Sequence, residues 1–253
     1  MLAWSVKRQL SYFLLVLAFF AGVGGVLFVL TRPDPSCADG KRNQDETGID
    51  CGGACRAVCK NEILPLRVLW SRVHKVSDGL YDSVTLIENP NLSLGLKTLP
   101  YTLKFYDKNN IIIASLKGVT FANPQESFVV FEVLNKGDVK ARVPVRASFE
   151  LDPNDLVWAR ETVERPDLRF SSQVFTNEPT PSLRTSVTNR SLQDLGEIEV
   201  KAVLFDEFEN TIGASATKLE SLPRGASADL VFTWPTPFPA EPKLKLLYPH
   251  FDF

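Results

Sequence analysis

The side chains best able to do chemistry crowd into one short stretch. Cys37, Cys51, Cys55 and Cys59 are the only four cysteines in 253 residues, and they are spaced C-x13-C-x3-C-x3-C. Among them stand Asp39, Asn43, Asp45, Glu46 and Asp50, oxygen-bearing side chains in a glycine-punctuated loop. An even number of clustered cysteines outside the cytoplasm reads as two disulfides, with three pairings open. Zinc is the rival. Zinc knuckles use paired C-x2–4-C ligands, whereas Cys37 stands alone, fourteen positions before Cys51. The oxygen ligands make calcium the one candidate cofactor. Against it, the spacing is not that of an EF-hand loop, and Asp-Asn-Gly clusters also make plain turns.

Beyond this segment the chemistry thins out. His74 and His250 are the only two imidazoles, which excludes a multi-histidine metal site. No G-x-S-x-G or H-E-x-x-H pattern occurs. Asp152, Asp155 and Glu161 lie near Trp158, as in some sugar sites, but a polar turn beside a core tryptophan has the same sequence. Trp70, Trp158 and Trp234 read first as core residues. Asn91-Leu92-Ser93 and Asn189-Arg190-Ser191 satisfy N-x-S, a triplet that arises often by chance. The net charge of −2 gives no footprint for nucleic acid.

The cysteine segment resembles a small motif of extracellular proteins, roughly C-x-D-G-x-x-N-x-x-E-T-x-x-D-C-G-G-x-C-x-x-C. Cys37, Asp39, Gly40, Asn43, Glu46, Thr47, Asp50, Cys51, Gly52, Gly53 and Cys55 match it. The last spacing departs, with three residues rather than two between Cys55 and Cys59. The resemblance implies an extracellular context and no enzymatic activity.

What must position these residues starts at the N-terminus. Tyr12 to Leu30 reads YFLLVLAFFAGVGGVLFVL, without a charge. As a helix it is about 28 Å long at ~1.5 Å per residue, which fits a bilayer core of about 30 Å. Tyr12 and Leu30 bound this anchor, Trp4 and Tyr12 suit the headgroup level, and Lys7 and Arg8 predict a cytoplasmic N-terminus with the rest exported. A cleaved signal peptide would have a shorter apolar core. Ala21 to Gly25 offers small residues after such a core, but Val26 to Leu30 continues the run. A buried core helix would need a polar face, and this one has none.

The expected organisation is a cytoplasmic flank at 1–11, a transmembrane signal anchor at 12–30, a stalk and cysteine-rich segment at 31–62, and β-sandwich domains at 63–152 and 153–253. From Ile63 onward, short alternating apolar runs and turn residues predict an all-β fold of two tandem immunoglobulin-like sandwiches. Leu66, Val68 and Trp70 read as one face of a first strand. Ile198, Val200, Ala202 and Leu204 read as an inward row against outward Glu199 and Lys201. A pattern recurs at an offset near one hundred residues: Ser83 to Asn91 aligns with Leu183 to Ser191, and Leu103 to Asp107 with Ala202 to Asp206. Leu103-Lys104-Phe105-Tyr106-Asp107 and Val203-Leu204-Phe205-Asp206 carry a resemblance to FxLYD-type and related immunoglobulin-like modules of bacterial surface proteins. A bacterial origin follows from that resemblance alone.

The expected function is a membrane-tethered extracytoplasmic binding or structural module, not an enzyme, whose partners are other envelope proteins. An enzyme of unknown type on a sandwich scaffold and a passive stalk are the rival readings. The cysteine assignment has a direct test. The unreduced protein should take up no alkylating agent, and the reduced protein should gain the mass of four adducts. Two or more thiols titrating without reductant would return the segment to zinc.

Overall fold

The computed structural model describes residues 4–30, 36–43, 45–135, 142–152, 156–161 and 165–251. The proline stalk at 31–35, the expected turn at 136–138 and the polar turn at 153–155, with Asp155, lie outside them. The chain divides into two compact units, Met1–Cys55 and Arg56–Phe253.

In the first unit, helix α1 spans Trp4–Leu30. It begins before Tyr12 because Lys, Arg and Gln are good helix formers and continue the turn backwards. Its segment Arg8–Phe28 is long and apolar enough to cross a membrane, and none of it is buried. Tyr12, Phe13, Leu15 and Phe20 are each at least 63% exposed, so the apolar surface runs round the helix without a polar face.

Among the described residues, the cysteine loop has no helix or strand of its own. Cys37 and Cys55 form a disulfide with Cα atoms 5.6 Å apart. Cys51 and Cys59 are also disulfide-bonded, and no cysteine is free, so the four make two bridges. Closing a loop of 18 residues contributes about 3 kcal/mol in the chain-entropy account.

The second unit is all β. Its first strands are β1 (Arg67–Ser77), β2 (Leu80–Glu88), β3 (Leu94–Tyr106), β4 (Ile112–Ala122), β5 (Ser127–Asn135), β6 (Arg146–Glu150) and β7 (Ala159–Arg160). Then come β8 (Leu168–Thr176), β9 (Ser182–Asn189), β10 (Ile198–Phe205), β11 (Thr211–Leu219), β12 (Ser227–Thr233) and β13 (Leu244–Phe251). The sheets are β1-β2-β5 and β4-β3-β6 in the first half, and β8-β9-β12 and β11-β10-β13 in the second. Strand order is therefore the same in both halves. β7 pairs with Leu94 and Gly95 of β3, and Leu156 and Trp158 pack on the first core. The first pair of sheets thus extends to Arg160, past the expected boundary at 152.

Turn chemistry explains the common order. Asn89 is buried, and its amide donates to the carbonyls of Leu94 and Asn123 while its oxygen accepts from Asn91 N. Asn189 does the same one hundred positions on, donating to Gln193 and Leu222 and accepting from Ser191 N. Each is an Asx turn that latches two separate loops. The β3–β4 and β10–β11 hairpins also match. Asp107 Oδ1 accepts from Asn109 N and Ile111 N, and Asp206 Oδ1 accepts from Phe208 N and Asn210 N. Asn91 and Asn189 are 3% and 0% exposed, and their side-chain amides are spent on these bonds, so neither N-x-S triplet presents an accessible asparagine.

Three apolar clusters fill the unit. One, with Ile87, Leu103, Phe105 and Phe128, lies between the first two sheets. Another, with Leu183, Ile198, Leu204 and Phe232, lies between the last two. The third joins the halves: Val84, Leu86 and Val129 of the β1-β2-β5 sheet meet Val203, Phe205 and Ala214 of the β11-β10-β13 sheet. Trp70 packs edge-on against Phe205, 6.2 Å between ring centres. The four sheets are thus stacked through three cores.

This third layer revises two readings of faces. A bulge between Val68 and Trp70 breaks the alternation of β1, so Leu66 packs on the first core while Trp70 enters the third. Lys201, expected to face solvent, is 6% exposed, with Nζ 2.6 Å from Glu199 Oε2. Phe205→Ala should cost about 3–5 kcal/mol, the usual range for a buried phenylalanine. Denaturant titration of the full chain checks this. A loss below 1 kcal/mol would mean that the third layer contributes little to the fold.

Candidate functional site

The cysteine segment and a cleft in the β unit are the two places to look for chemistry. In the former, the structure brings Asp39, Asn43, Glu46 and Asp50 together and leaves Asp45 exposed with φ 65°. The Asp50 carboxylate accepts from the backbone N–H groups of Asp39 and Gly40, both at 2.9 Å. Glu46 Oε2 accepts from Asn43 N and Asp50 N, both at 3.2 Å. Asp39 accepts from Lys41 N and from the Asn43 amide, and these bonds, led by Asn43, hold its carboxyl below the usual range. Gly53 is required: a Cβ there would lie 2.0 Å from the Asp45 carbonyl oxygen. The acidic residues thus staple the loop to its own amides.

Cys37, Glu46 and Cys55 are the one trio of cysteine, histidine or acidic groups whose ligand atoms converge among the described residues, and the two sulfurs are bonded to each other. Thiolate ligation is thereby removed, and no three carboxylates converge on one point among the described residues.

The cleft has a volume of about 600 Å³ and lies at one end of the third apolar layer. β1 and β2 supply His74 and Asp82, which face each other across the strand pair. The β10–β11 turn supplies Phe208 and Thr211, and the proline-rich crossing between β12 and β13 supplies Trp234 and Phe238. The prolines at 235, 237 and 239 keep that crossing extended. Thr236 Oγ1 donates to the Val76 carbonyl and ties the crossing to β1. Gly213 lets the aromatic wall close in, since a Cβ there would lie 2.9 Å from the Phe238 ring.

The electrostatics of the cleft are uneven. His74 Nε2 lies 2.9 Å from Thr211 Oγ1, and burial, helped by Arg72, pushes its pKa down to about 4. His74 is therefore neutral at pH 7. Asp82 is 6% exposed, and burial pushes its pKa up to about 6. Its carboxylate has no hydrogen-bond or ion-pair partner among the described residues, and no bond joins it to the His74 imidazole. A hydroxyl, an imidazole and a carboxylate thus share one cleft without forming a relay.

The other sequence candidates have structural roles. His250 is 3% exposed and stacks between Phe121 and Phe128, with Nδ1 2.9 Å from Glu126 Oε1. It is a plug between the halves. Asp152 is exposed, while Glu161 sits 3.8 Å from Lys97 Nζ. One pattern the sequence reading overlooked is Ser215-Ala216-Thr217-Lys218, which has the S-x-x-K spacing of a catalytic dyad, but on β11 residues three apart point to opposite faces. Lys218 pairs with Glu197 instead. Sequence reasoning missed the cleft because its lining comes from three stretches more than a hundred residues apart at their extremes.

No protein family matches the chain, and no curated protein does. Among solved structures the chain is similar to the crystal structure of red sea bream transglutaminase, with 11% identity and a TM-score of 0.29. That match covers 75% of this chain and 29% of the transglutaminase, so this chain spans less than a third of its length. A likeness at that level carries no inference about activity.

Asp82 gives a signed prediction. Its folded pKa lies above the usual 3.8, so its contribution to stability is fully present at low pH and is lost as pH rises through about 6. His74 works the other way, costing stability as pH falls from 6.5 toward 4. Asp82→Asn should therefore stabilise the protein at pH 8 by on the order of 1–2 kcal/mol, after allowance for solvent entering the cleft, and change it little at pH 4. Denaturant titrations at both pH values check this. Equal effects at the two pH values would show that ionisation of Asp82 is not the cost.

Proposed function

We propose that the chain is a membrane-tethered extracytoplasmic binding module that engages other proteins of a bacterial envelope through the cleft. In this reading α1 crosses the bilayer with Lys7 and Arg8 on the cytoplasmic side. The two pairs of sheets are copies of one FxLYD-type, immunoglobulin-like module. Two disulfides support an oxidising compartment for the loop next to the anchor.

One observation carries the reading: a cleft of about 600 Å³ with an aromatic wall and an uncompensated carboxylate, held by a rigid stack of sheets. Its size falls within the range of ligand sites; Phe208 is exposed at its rim and Phe238 half-buried, while Trp234 backs the wall from the last core. Phe208, 76% exposed at the tip of its turn, is an apolar side chain presented to a partner rather than to a core.

Two measurements test the proposal together. Protease added to intact spheroplasts should digest the β unit and leave a stub containing α1; complete protection would reverse the orientation. A photo-crosslinking amino acid at Phe208 should capture a defined protein, whereas the same probe at Val157, 80% exposed and outside the cleft lining, should not. Identical adducts from both positions would remove the cleft from the interaction.

A further inference from the structure

The cleft's chemistry is more selective than its shape. Burying a carboxylate without a partner is unfavourable, and a fold normally supplies a cation or donors. Asp82 has neither among the described residues, yet its carboxylate is not sealed in: it lines the cleft. The charged groups facing it from the neighbouring elements are few. β1 contributes neutral His74, the exposed Arg72 whose charge reaches His74 from outside the lining, and Lys75, already paired with Asp78 at 2.6 Å. The β10–β11 turn contributes Asp206 and Glu207, and the proline-rich crossing contributes Glu241 and Lys243. Four acidic side chains therefore stand against two lysines.

Among the uncharged lining, which is largely valine, proline and threonine, stand three aromatic side chains. Phe208, Trp234 and Phe238 come from two different segments onto the same cleft. Aromatic faces attract organic cations, most strongly where water is partly excluded. A buried carboxylate at the base, an acidic surround and aromatic walls together form a receptor for a positive charge carried on an apolar stem. An anion would meet the acidic excess, and a neutral apolar ligand would leave Asp82 desolvated and unpaired.

We propose that the cleft binds a protonated alkyl amine, with the ammonium on Asp82 and the alkyl stem against Phe208 and Phe238, which Trp234 backs from the core. The inference rests on reading the cleft as a binding site and names the chemistry of what enters it. A free amine and the lysine side chain of a partner protein present the same group. In both cases the ammonium replaces the missing ion-pair partner, and the complex gains the interaction that the free protein lacks.

The test uses the full chain in detergent micelles and isothermal titration calorimetry at pH 7.5. The probes are n-hexylammonium, n-hexanol and n-hexanoate, which share one stem, and the peptide acetyl-Gly-Gly-Lys-Gly-Gly-amide with its Nε-acetyl-lysine counterpart. Hexylammonium should bind at least tenfold more tightly than hexanol or hexanoate. Its affinity should fall at least tenfold at pH 5, where Asp82 holds its proton, and to a similar extent in Asp82→Asn at pH 7.5. Phe208→Ala, which removes an exposed side chain and leaves the cores intact, should weaken binding several-fold. If the lysine peptide binds at least as tightly as hexylammonium and its acetylated form does not, the amine comes from a protein; if hexylammonium alone binds, it is a free ligand. Equal affinity for hexanol and hexylammonium, no detectable binding of either amine at 10 mM, or cation binding indifferent to both variants would overturn the proposal. In those cases a protein captured through position 208 would still leave the binding-module reading standing.

Discussion

β10 has no outer face, and the arrangement of the β unit follows from that. Ile198, Val200, Ala202 and Leu204 point into the last core, while Val203 and Phe205 point into the shared one. β2 is placed likewise, with Tyr81 and Ile87 in the first core and Val84 and Leu86 in the shared one. Each is the central strand of its sheet. Fully burying a Val, Leu or Phe side chain is worth about 1.5–3 kcal/mol, so a third layer built on two central strands adds substantially to the stability of the unit. The halves are therefore not beads on a thread. Neither can move far from the other without exposing both central strands.

That constraint explains the polar groups trapped in the joint. Asp82 is buried on the shared face of β2 and Lys201 on that of β10, while Ser83 and Thr85 are buried on the other face of β2, with Tyr81 and Ile87. Thr85 has Ser71 at 2.9 Å and Lys201 has Glu199, but the Ser83 hydroxyl has no partner among the described residues. His250 is held by Glu126 and two rings, and Asn123 donates to the Phe251 carbonyl at 2.9 Å. These contacts tie the last strand to the first half at one end of the layer. At the other end, His74 meets Thr211 and Thr236 meets the β1 backbone, and there the sheets part into the cleft.

Much of this was legible in the sequence, for reasons that are local. The recurrence at one hundred residues was visible because Asn89 and Asn189, and Asp107 and Asp206, are turn residues whose short side chains bond their own backbone. The apolar helix and the paired cysteines were visible because length and count alone define them. What was not legible depends on partners. A bulge between Val68 and Trp70 exists only relative to β2, and it moves Trp70 to the other face. Alternation along β10 marked an inward row correctly, but it could not say that a second sheet would cover the outward one. Composition alone could point the oxygens of Asp39, Glu46 and Asp50 at a cation, but not show that they also accept N–H groups of the same loop.

The two acidic clusters make an instructive contrast. In the cysteine loop the carboxylates accept backbone N–H groups, which favours the charged form and spends it on holding the loop. In the cleft, Asp82 has burial without donors, which disfavours the charged form and leaves it reactive toward whatever cation arrives. A group optimised for stability would look like the first. A fold that keeps the second on a strand buried in two cores bears a steady cost at neutral pH, in a position where the backbone cannot relax to relieve it. Such a cost is recovered only when a ligand supplies the missing charge, so the same rigidity that makes Asp82 expensive also makes the cleft preorganised.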